Sequence, residues 1–236
     1  MNVILLKHFD FDDPTVFTDW AGREGHCLTV VNPTCESLDL SLLDTTDLLI
    51  VGGAPMGVYE EERYDWLLPE KIFVKKAVDR KIKVFGICFG AQMLAELLGG
   101  RVYPHSLKEI GWQTIRRSAE PHPALAGLPE SFRSLQWHGD TFDLPPGALL
   151  LAESEHCTHQ AYAWGEHVLA VQFHLETSQA CLNTMMDVWA HDLQREDASV
   201  QPAEEIVRES GRTVESFAML QNILNRFASM RIVENA

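Results

Sequence analysis

Lysine and arginine are scarce in this sequence of 236 residues: 19 of them stand against 34 aspartates and glutamates, for a formal charge of -15. No basic cluster interrupts the acidic excess. Such a surface repels phosphate backbones and anionic headgroups, so neither nucleic acid nor a membrane is expected as a partner. Long apolar runs are lacking as well. The first, Val3-Ile4-Leu5-Leu6, is short and has no basic region before it, so it reads as a strand and not as a signal peptide. Nothing later approaches the roughly 18 apolar residues of a membrane span. The cysteines Cys27, Cys35, Cys88, Cys157 and Cys181 are odd in number and show no close pairing, which points to reduced thiols in a cytoplasmic setting. There is also no G-x-x-x-x-G-K-[ST] loop for a nucleotide.

What is present is alternation. Hydrophobic residues make up 46% of the chain, enough for a core without staples. Short apolar runs at Val3 to Leu6, Leu28 to Val31, Leu48 to Val51 and Lys83 to Ile87 are expected as strands. Helical patterns lie at Pro14 to Ala21 and Leu67 to Asp79, the second with Ile72, Phe73, Ala77 and Val78 as its buried side. From Arg101 onward the pieces become short and β-rich: Arg101 to Tyr103, Gly111 to Arg116, Ser134 to Trp137, Leu149 to Glu153, Ala161 to Trp164 and Val168 to Phe173. The separators P-H-P, G-L-P and P-P-G are turn chemistry and too short for domain linkers. Helix resumes at Ser178 to Leu193, with Ser178 as N-cap. After the polar break Gln194 to Gln201, residues Val214, Phe217, Leu220, Leu224 and Phe227 form one amphipathic stripe. These elements predict an α/β fold of flavodoxin-like class, with a mostly parallel central sheet flanked by helices, a small additional β-sheet and a C-terminal helical extension. Residues 1–193 are expected to form one domain, with 194–236 packed on it.

The stretch Gly86-Ile87-Cys88-Phe89-Gly90-Ala91-Gln92 places a thiol where a strand passes into a helix. Small neighbours let a chain double back at such an elbow, and the first amides of a helix favour a thiolate and an oxyanion. A buried core cysteine fits the same local residues. At the end of the strand Val168 to Phe173 stand His174 and Glu176, on one face of an extended chain, so the carboxylate can orient an imidazole toward a thiol. Taken singly, the pair also reads as surface histidine and solvated glutamate. His156, Cys157 and His159 form a close group without the second ligand pair usual for zinc, so they read as a polar loop and no metal is expected.

Together these stretches carry a resemblance. Gly86 to Gln92 matches the Gly-x-Cys-x-Gly-x-Gln signature of class I glutamine amidotransferases, and Gln172-Phe173-His174-Leu175-Glu176 is similar to their Gln-x-His-x-Glu element, with Leu175 where proline is usual. The glycine-rich Gly52-Gly53 turn precedes them in the matching order. Lys108-Glu109-Ile110-Gly111-Trp112 and Trp137-His138-Gly139-Asp140 resemble the subgroup typified by the amidotransferase portion of GMP synthase. The resemblance implies Cys88 as nucleophile, His174 as general base and then acid, and Glu176 as its orienting carboxylate. It implies oxyanion contacts from the Gly53 and Phe89 amides and a substrate clamp at Gln92. Trp137, His138, Gly139 and Asp140 would line the same pocket, with Asp140 facing the substrate ammonium. The implied chemistry is hydrolysis of the glutamine side-chain amide through a thioester, with no metal or organic cofactor and with ammonia passed to a separate synthetase. A stand-alone γ-glutamyl peptidase or hydrolase is an alternative, since the chain has no ATP domain of its own. A non-catalytic stress-response protein on a similar sheet, and an enzyme silent until a partner orders the Gly53 turn, are further alternatives.

Overall fold

A computed structural model of the chain describes residues 1–194 and 197–232. Its nine strands are β1 (Asn2–Leu6), β2 (Cys27–Val31), β3 (Leu48–Val51), β4 (Lys83–Ile87), β5 (Val102–Arg117), β6 (Ser131–Phe142), β7 (Leu149–Ser154), β8 (Ala161–Trp164) and β9 (Val168–Val171). They form one sheet in the order β2-β1-β3-β4-β9-β8-β7-β5-β6. The first five in that order run parallel, and the remaining four add in antiparallel pairs, so the β-rich segment continues the parallel half through the β9 to β8 pairing.

The parallel half owes its position to strands that are apolar on both faces. Val3 and Leu5 of β1 point to one side, where they meet Val16, Phe17 and Trp20 of α1 (Thr15–Glu24). Ile4 and Leu6 point to the other, where they meet Phe73, Val74 and Ala77 of α2 (Leu67–Asp79) and Met93 and Leu94 of α3 (Phe89–Leu97). Lys71, itself buried, bridges Glu61 and Glu96 and so ties α2 to α3. Ile72 does not share the buried face of α2: it is 54% exposed, and Leu67 and Val74 fill the places beside Phe73 and Ala77.

Among the described residues three further α-helices follow the sheet: α4 (Gln179–Val188), α5 (Ala203–Arg208) and α6 (Thr213–Ser229). The Ser178 side chain accepts from the Cys181 amide and caps α4, which ends at Val188 before a separate 3-10 turn at Ala190–Gln194. The two expected strands Arg101 to Tyr103 and Gly111 to Arg116 are one long β5, bent by an irregularity between Pro104 and Glu109. On α6, Leu220, Ile223, Leu224 and Phe227 pack into the core shared with α1, whereas Val214 is 75% exposed, because it sits on the outer side of the first turn. Trp20 Nε1 donates to Asn225 Oδ1 at 2.6 Å, and Lys83 Nζ donates to the carbonyls of Ala228 and Met230 at the end of α6.

Candidate active site

Three adjacent parallel strands, β3, β4 and β9, end together, and each hands the chain to a loop that carries one part of the site. This is the edge of an open α/β sheet at which ligands bind. β3 runs into Gly52-Gly53, β4 into Cys88, and β9 into Gln172-Phe173-His174. The Cys88 amide donates to the Val171 carbonyl at 2.8 Å, which fixes the cysteine beside the third loop. Cys88 itself has φ 51° and ψ -103°, a conformation that non-glycine residues rarely adopt, and it stands as N-cap of α3. The elbow is possible only because its neighbours are small. A Cβ on Gly86 would sit 2.6 Å from the Gly90 carbonyl oxygen, and one on Gly90 would collide with the carbonyl oxygen of Val51.

His174 is held from both sides. Its backbone pairs with β6, where the His174 amide donates to the Leu135 carbonyl at 2.8 Å and Ser134 Oγ donates to the His174 carbonyl at 3.0 Å. Its Nδ1 lies 2.6 Å from Glu176 Oε1, and Cys88 is close enough to act on the charge of the ring. Burial alone would lower the histidine pKa, but the Glu176 carboxylate and Cys88 outweigh it, so His174 titrates well above the ordinary range. Gly53 lies against the same pair. A Cβ there would be 3.1 Å from His174 Cε1 and 3.8 Å from Cys88 Cβ, so the backbone alone fits beside the thiol. The group can do acyl-transfer chemistry: a thiol, a base within reach, an orienting carboxylate and amides at a helix start.

These residues border a cavity of about 650 Å³. Gly53, Cys88, Gln92, Trp137, His138, Gly139, Asp140, His174 and Glu176 all line it. Phe89 does not: its ring is fully buried against His8, so only its backbone is available to the site. Gln92 Nε2 donates to Gln172 Oε1 at 3.1 Å and to the Asp140 carbonyl at 3.4 Å. Asp140 Oδ2 accepts from the Tyr59 hydroxyl at 3.0 Å, and burial together with that carboxylate pushes the phenol up to about 12.

Several residues of the site were not legible in the motifs. Asp12, at the end of the loop after β1, lines the cavity, and burial and the nearby Glu176 carboxylate raise its pKa to about 6 against the opposing pull of Lys7, His8 and His174. Phe9, Trp137 and Trp189 make an aromatic wall, with Phe9 and Trp189 rings 5.5 Å apart and Trp137 and Trp189 rings 6.0 Å apart. The available signal was position: polar and aromatic residues directly after β1 belong to the same sheet edge as the other loops. Glu109, from the Lys108 to Trp112 segment, is completely buried and accepts from His138 at 3.0 Å, Ser154 at 2.6 Å and Gln160 at 2.6 Å. His138 in turn bonds the Asp140 carbonyl at 2.9 Å, which steadies the segment beside Gln92. Cys157 joins Glu109 and His138, and the three offer ligand atoms within 4.8 Å of one another. The hydrogen bonds to both Glu109 oxygens give that group a structural use without an ion.

The family model for glutamine amidotransferase class-I matches residues 21–186. GMP synthase of Thermomicrobium roseum is 37% identical over 139 residues, a match that covers 58% of this chain and only 25% of that protein. γ-Glutamyl peptidase 3 of Arabidopsis thaliana is 30% identical over 61% of this chain and 60% of its own length. The solved structure of a glutamine amidotransferase from Thermotoga maritima superposes with a TM-score of 0.85 at 27% identity, covering 97% of this chain and 98% of that one.

Proposed function

The chain belongs to the class I glutamine amidotransferase family, and on that footing we propose that it hydrolyses the side-chain amide of glutamine to glutamate and ammonia through a thioester on Cys88. The observation that carries the reading is that Cys88 and His174 meet at Gly53, at the ends of β4 and β9, with His174 hydrogen-bonded to Glu176. The Cys88 thiol gives its proton to His174 as its sulfur attacks the amide carbon, and the Gly53 and Phe89 amides face the oxygen that gains charge. His174 gives its proton to the departing nitrogen, which leaves as ammonia. Water then adds to the thioester as His174 takes its proton, and that proton returns to sulfur as glutamate departs. Gln92, with Trp137, His138, Gly139 and Asp140, holds the amino-acid end of the substrate. Residues 1–193 serve as the amidotransferase domain and 194–236 as an extension packed on it, of which residues 195–196 and 233–236 lie outside those described. The ammonia goes to a separate synthetase.

The cavity favours a second reading. At about 650 Å³, with the Phe9 and Trp189 rings among its lining, it is larger than a free glutamine needs and offers apolar surface. Such a site suits a γ-glutamyl compound whose leaving group is a bulky amine, handled by the same thioester chemistry. A panel of glutamine and γ-glutamyl dipeptides, assayed for released glutamate with Cys88→Ala as control, separates the two. Covalent labelling of Cys88 by a glutamine-like diazo ketone, lost in Cys88→Ala, supports both. Wild-type protein that neither labels nor cleaves any member of the panel refutes them.

A further inference from the structure

His8 follows β1 directly, and the reaction written above does not use it. Its Nδ1 lies 3.0 Å from the Gly53 carbonyl oxygen, and its Nε2 lies 2.9 and 3.1 Å from the two oxygens of Glu70 on α2. Both side chains are wholly buried. Phe89 meets the ring edge-on at 5.0 Å between centroids, and Trp66 covers it at 5.5 Å.

The partners fix what the ring must do. A carbonyl oxygen and a carboxylate only accept, so contacts on both nitrogens require a hydrogen on each. Burial opposes that charge, but Glu70 outweighs it, with the Gly53 carbonyl and the Asp12 charge adding to the same side, and His8 titrates above its ordinary value. A hydrogen bond of this kind, charged and shielded from water, is stronger than a neutral one. Gly53 has no side chain to hold its peptide planes, so their orientation depends on what the backbone atoms bind.

We propose that His8, held by Glu70, is a positioning residue that fixes the Gly53 carbonyl and thereby aims the amides of the β3 turn at the developing oxyanion. This rests on the reading of Gly53 and Phe89 as oxyanion donors. One ring registers both: it bonds the turn that carries the first donor and packs on the residue that carries the second. The turn is therefore set by groups of the chain itself, before any partner binds.

The test uses full-length protein and two substitutions. Replacing the pair by apolar residues, His8→Leu with Glu70→Leu, preserves packing and leaves no unpaired buried charge, but nothing then holds the Gly53 carbonyl. That variant is expected to stay folded, to alkylate Cys88 with iodoacetamide within about twofold of wild type, and to lose kcat on the best γ-glutamyl substrate by roughly 100-fold with KM within about threefold, the size of effect seen when an oxyanion donor is lost. Glu70→Gln keeps a neutral partner for Nε2 and the Nδ1 hydrogen, so it is expected to retain kcat within about fivefold. A folded double variant with kcat near wild type overturns the proposal, as does an alkylation rate that falls as far as kcat. Nitrogen-15 spectra of the wild-type imidazole provide a readout free of activity: hydrogens on both ring nitrogens at neutral pH are expected, and a bare Nδ1 overturns the clamp. If wild-type protein cleaves nothing, the hydrolase reading fails while the spectrum still decides the clamp.

Discussion

His174 Nδ1 lies 2.6 Å from Glu176 Oε1, while the second carboxylate oxygen of Glu176 is buried with no hydrogen-bond partner. The carboxylate thus spends its directed bond on one ring nitrogen, and its charge is little screened. That is why His174, although buried, titrates above its ordinary range. A raised folded pKa means the His174 contribution is fully present below about 6.5 and is lost as pH rises through the folded value.

Glu176→Gln removes the charge and keeps the shape. Burial then dominates, the His174 pKa falls, and its proton is no longer held for the leaving nitrogen. Hydrolysis is expected to drop by ~100-fold or more, with KM changed little. The alkaline limb of wild-type kcat, measured against pH, should move to lower pH in the variant. An unchanged limb would separate His174 from Glu176.

The glycines of the elbow differ in what they tolerate. Gly90 faces the Val51 carbonyl, and a backbone atom cannot step aside as a flexible side chain can. Gly90→Ala is therefore expected to destabilise by roughly 3 kcal/mol or more, as overpacked core positions do. Gly22, inside α1, meets nothing within 4 Å. Gly22→Ala should stabilise by about 0.5 to 1 kcal/mol through helix propensity. Denaturant midpoints of the two variants should move in opposite directions.

What could be read from sequence was whatever has a local cause. Apolar alternation located β3, β4, α2 and β8 to the residue, and the motifs placed Cys88, His174 and Glu176 near one another because each follows a strand. Long-range pairing was less legible. The single β5 looked like two strands since its bend near Pro104 interrupts the pattern. Ile72 and Val214 looked buried because a stripe shows which side of a helix is apolar and not what lies over it. His8 and Glu70 are 62 positions apart, and no spacing rule joins them.

Asp12 supplies a pH test at the edge of the site. Its folded pKa is raised to about 6, first by burial and then by the Glu176 charge. For a carboxyl this sign is unfavourable: the folded state binds the proton more tightly than the unfolded chain, so stability falls as pH rises from about 4 to about 6. Asp12→Asn removes the titration. The variant should be more stable than wild type above pH 6, by at most ~3 kcal/mol, and indistinguishable from it below about pH 4. Thermal unfolding of both proteins across that range gives the curve, and a constant difference at all pH values would locate the effect elsewhere.

Trp189 tests what the cavity is for. Its ring lines the cavity and meets Phe9, Phe11 and Trp137. If the leaving group rests on that wall, Trp189→Ala removes stacking worth about 0.5 to 1.5 kcal/mol beyond area burial, together with the burial itself. For a γ-glutamyl dipeptide with an aromatic second residue, kcat/KM should then fall roughly 10- to 100-fold. Glutamine, whose leaving group is ammonia, never reaches the wall, and its kcat/KM should stay within about twofold. Equal losses for both substrates would mean that Trp189 supports the loop and not the leaving group. No loss for either would assign the aromatic wall to something other than the hydrolysed compound, and would favour free glutamine as the substrate.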